Sequence, residues 1–274
     1  MIAASFAFIT ACGAGSKKEN HNMGKEKRTQ VKLETTMGNI TVELYNETPK
    51  HRDNFIKLAK EGVYDSTLFH RVIKQFMVQA GDPTSKTASD TAMLGNGDVG
   101  YTIPAEFVPK FFHHKGVLAA AREGDNVNPQ KASSGCQFYI VTGRKFTEPQ
   151  LLGMENKINE QREEAIFDSL AQKHMKEIYK MRKAPDTEGL YALQDTLEAQ
   201  AQAMADKEEK FHFTPEQIQA YTTVGGAPHL DGSYTVFGEV VEGMETVEKI
   251  EIAKTNRADR PLDNIRILKA TVVE

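Results

Sequence analysis

Two stretches near the start of the chain alternate apolar and polar residues, which is the pattern of β-strands with one buried face. The alternation covers residues 31–36 and residues 40–44. Met37-Gly38-Asn39 lies between them and supplies the residue types of a tight turn. The sequence therefore predicts a β-hairpin in this part of the chain.

Two short helices and a closing strand are predicted beyond this hairpin. Thr48 is a favourable N-cap, Pro49 suits the first helical position, and Gly62 ends the apolar stripe that follows. A second helix is predicted over residues 243–250, and residues 265–273 predict a strand. These patterns predict strands near both ends of the folded chain, with an amphipathic helix beside each.

Residues 144–222 differ from the rest because they contain few glycines and prolines and carry apolar residues at helical spacing. One stripe, spaced by three or four residues, consists of Leu190, Leu193, Leu197, Ala201 and Met204. We predict a helical hairpin here, followed by a short helix that begins at Thr214-Pro215. The alternative is that the narrow stripe pairs with another chain in a coiled coil.

The composition limits the classes of partner. With 274 residues the chain is long enough for one large domain, or for one domain with an addition. Its formal net charge is −4, and the sequence carries no basic stripe interleaved with aromatic residues. We therefore expect no nucleic-acid partner.

The stretch over residues 69–82 combines an apolar strand pattern with polar residues that a buried strand does not favour. In an extended chain Arg71, Met77 and Gln79 lie on one face, and Phe76 joins them if the backbone slips just before it. That face would hold a cation, an amide and two large apolar groups. Such a combination is typical of a site for a small ligand or a peptide side chain.

This stretch also carries a family resemblance. Residues 69–82 resemble the segment F-H-R-V-I-x-x-F-M-x-Q-G-G-D of the cyclophilin-type peptidyl-prolyl cis/trans isomerases, with Ala80 in place of the first glycine of the pair. The alternative for these residues alone is a strand whose Arg71 and Gln79 face solvent.

Further matches to the same family lie downstream. Residues 116–122 resemble its G-x-L-x-M-A-R segment, and residues 133–141 resemble its S-S-Q-F-F-I segment. Residues 228–240 resemble W-L-D-G-x-H-x-V-F-G-x-V, with His229 at the position of Trp and Tyr234 at the position of His. The motifs that carry the resemblance therefore lie on both sides of residues 144–222.

The resemblance implies a mainly β fold, namely a closed eight-stranded antiparallel barrel capped by two helices. The isomerase domain is expected to consist of residues 29–143 together with residues 223–274. The family has only a few residues where this chain has residues 144–222. This segment is therefore expected to form an inserted α-helical lobe beside the active site, with apolar surface available to unfolded clients.

The resemblance also implies an activity, the acceleration of cis/trans isomerisation at Xaa-Pro bonds in folding proteins of the cell envelope. Arg71 is implied as the catalytic residue, because its guanidinium could donate to the nitrogen of the twisted amide. The implied pocket for the proline ring consists of Phe76, Met77, Tyr139 and Leu230, with Tyr234 closing its edge. His229 is implied as a further substrate-binding residue. The groups implied to hold the peptide are Gln79, the main chain of Ala121 and Arg122, and Gln137 at the rim.

No bond is broken in this reaction, so neither a metal ion nor another cofactor is expected. The expected partners are proline-containing peptides and unfolded protein clients. The alternative function is a proline-peptide-binding or chaperone module of the cell envelope without significant turnover.

The first residues suggest where the protein acts. Residues 1–11 are almost wholly apolar and too short to span a bilayer, and with Cys12 they resemble the lipobox of bacterial lipoproteins. The resemblance implies a signal peptide over residues 1–11, a lipid anchor on Cys12 and a flexible tether over residues 12–28. We therefore expect a lipid-anchored protein of the bacterial cell envelope. The alternatives for the apolar run are a buried strand or part of an ordinary signal peptide.

Overall fold

The structure is a computed structural model that describes residues 27–273. The predicted signal peptide, Cys12 and nearly all of the predicted tether therefore lie outside the described residues. None of the helices within residues 27–273 combines the length and the apolar character that crossing a membrane requires.

Eight antiparallel strands form the main sheet, and two short strands form a second one. The strands are β1 Gln30–Thr35, β2 Gly38–Leu44, β3 Arg71–Ile73, β4 Met77–Ala80, β5 Thr102–Ile103, β6 Val117–Ala120, β7 Ser133–Ser134, β8 Phe138–Val141, β9 Val236–Glu242 and β10 Ile267–Val273. The main sheet has the order β10-β1-β2-β9-β6-β8-β4-β3, and β5 pairs with β7. The predicted hairpin is present as β1 and β2, with Leu33 opposite Ile40.

The expectation of a closed barrel is wrong, because the sheet is open between its edge strands β3 and β10. The segment before β3 reaches β10 through only a few main-chain bonds, such as the one from the Ser66 amide to the Ile267 carbonyl at 2.7 Å. Ser66 has a left-handed φ of 67°, which interrupts the extended conformation. An isolated bridge between Leu68 and Arg266 therefore takes the place of a continuous ladder.

Two helices pack against this sheet, as predicted. Helix α1 covers Pro49–Lys60, and its Phe55 and Leu58 are buried in the core. Helix α1 begins at the predicted place, but the Thr48 side chain makes no capping hydrogen bond. The carboxylate of Glu106 instead accepts the amides of Lys50 and His51, at 3.1 and 3.0 Å.

Residues 144–222 contain the helices of the predicted insertion. These are α2 Glu148–Lys173, α3 Met175–Lys183, α4 Thr187–Ala205 and α5 Pro215–Thr223, and the second sheet-packing helix is α6 Met244–Glu251. Helices α2 and α3 both pack against α4, and His174 separates α2 from α3. Helix α5 begins at Pro215 with Thr214 as its N-cap, as predicted. Of the predicted apolar stripe, Leu197 and Ala201 are buried.

The main sheet separates two apolar clusters, because successive residues of a strand face opposite sides. Phe138 and Ile140 of β8 join the main core together with side chains from α1 and α6. Tyr139 and Val141 of the same strand join a second cluster on the other face. Strand β8 is therefore buried on both faces, and its four residues are all apolar or aromatic.

Candidate active site

The segment from Arg71 to Ala80 is a tight hairpin of β3 and β4. The sequence suggested instead one strand with a backbone irregularity just before Phe76. Gln75 has a left-handed φ of 59°, and the Phe76 amide donates to the Ile73 carbonyl at 3.1 Å, so the chain reverses here. Arg71 pairs directly with Gln79 across the hairpin. Directly opposed residues share a face, so the expected grouping of Arg71 and Gln79 arises by chain reversal.

The side chain of Arg71 is accessible, and among the described residues it has one ionic neighbour. About half of it is solvent-exposed (44 %), and its Nε lies 3.7 Å from Oδ2 of Asp259. Within residues 27–273 the guanidinium donates no hydrogen bond. An exposed contact of this length is weak, so the donors of Arg71 are available to a ligand.

The residues expected to form a proline pocket lie together on this face of the sheet. Met77, Tyr139 and Leu230 are buried, and Phe76 and Tyr234 pack against them half-buried. The exposed ring of His229 lies 5.3 Å from the ring of Phe76. The structure therefore brings together the four expected pocket residues with Tyr234 and His229, although the six come from three separate parts of the chain.

Gln137 was expected at the rim of the site but is buried. Its amide nitrogen donates to the carbonyls of Gly95 and Gly97, at 2.9 and 2.8 Å. Its amide oxygen accepts from Gln79 at 3.0 Å. Gln137 therefore fastens the long loop after β4 to the sheet and orients Gln79, which stays half-buried beside Arg71.

The main chain of Ala121 was expected to hold a peptide, but it is already used within the protein. Its amide donates to the Gln137 carbonyl at 3.0 Å, and its carbonyl accepts from Ser134 at 2.8 Å. Arg122 places its guanidinium 4.5 Å from the ring centre of Tyr234, and its Nε donates to the Ser233 carbonyl at 2.7 Å. The main chain of Ala121 is therefore not free to bind a peptide, and the side chain of Arg122 fixes the position of Tyr234 at the edge of the expected pocket.

A polar network beneath the pocket was not predicted. His113 is buried, and its Nδ1 lies 2.9 Å from Oδ1 of Asp231 while its Nε2 lies 3.0 Å from the hydroxyl of Tyr139. The Tyr221 hydroxyl of α5 donates to Oδ2 of Asp231 at 2.5 Å, and Gln217 of the same helix donates to that oxygen at 3.4 Å. The network therefore links the inserted helices to the floor of the pocket.

Burial raises the pKa of both tyrosines in this network well above the ordinary value, so their hydroxyls remain donors at working pH. The sequence offered one weak indication of the network. Asp231-Gly232 has the residue types of a turn, and His113 and His114 are adjacent, so they do not have the convergent spacing of a metal-binding pair. Their partner Tyr221 lies in the insertion, where no family motif directs attention to it.

Asp82, at the end of the first motif, was also missed. Burial opposes its ionisation, but hydrogen bonds from Thr84, Gly95 and Gly97 outweigh burial and lower its pKa. Its carboxylate accepts the Thr84 amide at 2.8 Å and the Gly95 amide at 2.6 Å. Asp82 and Gln137 together hold the loop that borders the candidate site.

A Ser–His–Glu arrangement elsewhere in the molecule is structural. His51 Nδ1 lies 2.7 Å from Glu106 and its Nε2 lies 2.9 Å from the Ser133 hydroxyl. His51 and Ser133 are almost completely buried, so no substrate can reach the hydroxyl. Among the described residues, no cluster of three histidine, cysteine or acidic side chains could hold a metal ion.

Comparison with known proteins decides the family. The model of the "Cyclophilin type peptidyl-prolyl cis-trans isomerase/CLD" family matches residues 30–272. The chain belongs to this family. It is a peptidyl-prolyl cis-trans isomerase of the cyclophilin type.

Named relatives agree with this assignment. The chain is 30% identical over 248 residues to the peptidyl-prolyl cis-trans isomerase cypE of Dictyostelium discoideum, a match that covers 88% of this chain and 96% of the relative. It is 29% identical over 248 residues to peptidyl-prolyl cis-trans isomerase-like 1 of Aspergillus fumigatus, with 90% and 96% covered.

Solved structures show the same fold at lower identity. A cyclophilin-type isomerase of Cryptosporidium parvum superimposes with a TM-score of 0.54 at 20% identity, and the match covers 90% of this chain and 98% of the other. A structure of the same protein in the presence of the dipeptide Ala-Pro gives a TM-score of 0.51 at 19% identity, with 89% and 99% covered.

Proposed function

We propose that this cyclophilin accelerates prolyl isomerisation by stabilising the twisted amide through Arg71. Rotation about a prolyl bond removes amide resonance, which creates a barrier of about 20 kcal/mol and makes the uncatalysed reaction slow. The nitrogen regains a lone pair in the twisted state and can then accept a hydrogen bond. A donor directed at that nitrogen stabilises the transition state more than either planar isomer.

Arg71 suits this role because its planar guanidinium is a permanent cation with several donors. The observation that carries the proposal is the pairing of Arg71 with Gln79 on the face where the apolar pocket lies. A cation at the mouth of an apolar pocket serves no packing purpose there, since within residues 27–273 the ionic neighbour of Arg71 is Asp259, at 3.7 Å.

In this proposal the proline ring enters the pocket formed by Phe76, Met77, Tyr139 and Leu230, with His229 and Tyr234 along its edge. Gln79 and the main chain of Arg122 hold the peptide on the polar side of the pocket. Gln137 and the side chain of Arg122 act as positioning groups, because their polar atoms are already bonded within the protein. Binding on one side leaves the other side of the prolyl bond free to rotate.

An assay without a coupled protease tests this function. The exchange between cis and trans forms of a blocked proline tetrapeptide is measured by NMR in the presence of a small amount of the full-length protein. We expect exchange to accelerate in proportion to the protein concentration. Binding of the peptide without acceleration would support the alternative, a proline-peptide-binding or chaperone module.

We further propose that the protein acts on folding clients in the bacterial cell envelope and is anchored there by a diacylglyceride on Cys12. The support is the lipobox-like sequence that ends at Cys12, followed by a polar stretch suited to a tether. Together with an N-acyl chain, such a group anchors stably, whereas a single chain binds membranes only marginally. Fractionation of a Cys12→Ser variant tests this, because a variant as firmly membrane-bound as the parent would contradict the anchor.

A further inference from the structure

A large cleft lies between the sheet domain and the inserted helices. Its volume is about 1140 Å³, and residues of the candidate proline pocket form one of its walls, namely Phe76, His229 and Tyr234. The opposite wall is formed by α2 and by the segment before α5, including Phe211. The cleft is therefore continuous with the place where the proline ring is proposed to bind.

One face of α2 lines this cleft. The lining residues are Met154, Lys157, Ile158, Gln161 and Arg162, spaced as one helical stripe. From first to last they span about 12 Å, given a rise of 1.5 Å per residue. An extended peptide advances about 3.3 Å per residue, so the stripe can contact about four residues.

The helix is held rigidly in this position by an aromatic cluster at the base of the cleft. Phe146, Leu151, Phe213 and Tyr221 are buried together there, and Met154 and Phe211 pack against them. The Glu155 carboxylate accepts the Phe213 amide at 2.7 Å and ties α2 to the segment before α5. The wall is therefore preformed, which reduces the entropy lost on binding.

The charged groups that line the cleft are mainly cationic. Arg144, Lys157 and Arg162 are exposed, and none of them pairs with a carboxylate within residues 27–273. Arg144 and Arg162 lie over the rings of Phe146 and Phe211, at 4.5 and 5.6 Å from the ring centres. The cleft therefore offers cations backed by aromatic faces.

Among the described residues that line the cleft, the single carboxylate does not neutralise these cations. Asp231 accepts hydrogen bonds from the Tyr221 hydroxyl and the His113 amide, at 2.5 and 2.8 Å, and contacts the His113 ring. Asp231 is thus committed to the network beneath the pocket and does not pair with Arg144, Lys157 or Arg162.

We propose that the cleft is a second binding subsite for the polypeptide whose proline occupies the pocket. It takes about four extended residues on one side of that proline and favours acidic and aromatic side chains. Acidic groups pair with Lys157 and the two arginines, and aromatic groups pack on the phenylalanine rings. This inference rests on the proposed function, since the occupant of the cleft is the substrate of the same site.

The test compares short and long proline peptides with the full-length protein. The short substrate is a blocked tetrapeptide, and the long ones carry four added residues either before or after it. Each long peptide is made in two forms, with the added residues alternating Phe with Glu or Phe with Lys. The measured quantity is kcat/KM for cis–trans exchange by NMR at low ionic strength.

We expect the Glu form to be favoured over the Lys form by about tenfold for one of the two extensions, which is the expected size of several partly exposed ion pairs. The double variant Lys157→Glu and Arg162→Glu should abolish or invert this preference and leave the tetrapeptide unchanged. The matched control is Lys176→Glu with Lys180→Glu, two exposed cations of α3 outside the cleft, which should keep the preference.

Equal kcat/KM for the Glu and Lys forms in the parent, with the tetrapeptide still isomerised, would overturn the subsite and leave the proposed function intact. A preference that survives the Lys157 and Arg162 substitutions would also overturn it. Failure of the parent to isomerise even the tetrapeptide would refute the proposed function itself, and the subsite with it.

Discussion

Removal of one hydroxyl should reveal whether the inserted helices support the isomerase domain. Tyr221 is completely buried, and its hydroxyl donates to the Asp231 carboxylate at 2.5 Å. Its ring packs between those of Phe112 and Phe213, with centroids 5.5 and 5.8 Å away. The substitution Tyr221→Phe keeps this packing and removes only the hydrogen bond.

A hydrogen bond to a charged group contributes about 1.5 to 3 kcal/mol, and Asp231 keeps its bonds to His113 and the weak one to Gln217. We therefore expect a destabilisation of about 2 kcal/mol and a melting temperature lower by about 4 to 8 °C for a chain of this size. Tyr191→Phe is the control, since that tyrosine is 65% exposed on α4.

Calorimetry measures the stability, and peptide exchange measures the effect on the pocket. Because Asp231 contacts His113, which contacts the Tyr139 hydroxyl, kcat/KM should also fall, by less than about tenfold. A melting temperature within about 1 °C of the parent would show that the bond does not stabilise the fold and would refute the reasoning.

Two further predictions concern the sequence around the first motif. Burial lowers the pKa of His70 to about 4. The unfolded chain therefore binds a proton at this histidine more readily than the folded protein does. The contribution of His70 to folding stability is full above pH 6.5 and is lost as the pH falls towards 4. Denaturant titrations at pH 7 and pH 4 measure the loss of unfolding free energy between the two pH values, and this loss should be about 3 kcal/mol smaller for His70→Phe than for the parent. An unchanged pH dependence would contradict the assignment. Asp82→Ala should destabilise by about 3 kcal/mol, because it leaves the Thr84 and Gly95 amides unpaired, and should speed amide exchange in residues 83–100. Asp90→Ala, in the exposed part of the same loop, is the control. Equal effects of both variants would contradict the role of Asp82 in holding this loop.

The parts of the fold that the sequence predicted are those set by neighbouring residues. The hairpin β1–β2 follows from alternation and the turn between its strands, and α5 begins at Thr214-Pro215 because side chain and ring satisfy that helix end locally. The start of α1 was also correct. The cap of α1 was predicted wrongly, because the group that accepts its first amides is the carboxylate of Glu106, more than fifty residues away.

The features that the sequence did not predict correctly depend on contacts between distant segments. Gln75 adopts a left-handed φ without being glycine, so the reversal between β3 and β4 leaves no clear mark in the pattern. Gln137 was expected at the rim of the site, but its amide is buried because it donates to the carbonyls of Gly95 and Gly97 in the distant loop. The open edge of the sheet likewise depends on the geometry at Ser66, which a strand pattern cannot specify.

The role of Arg71 is tested most directly by measuring exchange and peptide affinity on the same samples. A charge-assisted hydrogen bond made only in the transition state is worth about 1.5 to 3 kcal/mol, so Arg71→Ala should slow exchange by roughly 10- to 100-fold. The dissociation constant of the tetrapeptide should change by less than about threefold, because the apolar pocket provides most of the binding. Arg257→Ala, an exposed cation near Asp259, is the control and should behave as the parent. Exchange as fast with Arg71→Ala as with the parent would contradict the account, as would a loss explained entirely by weaker binding.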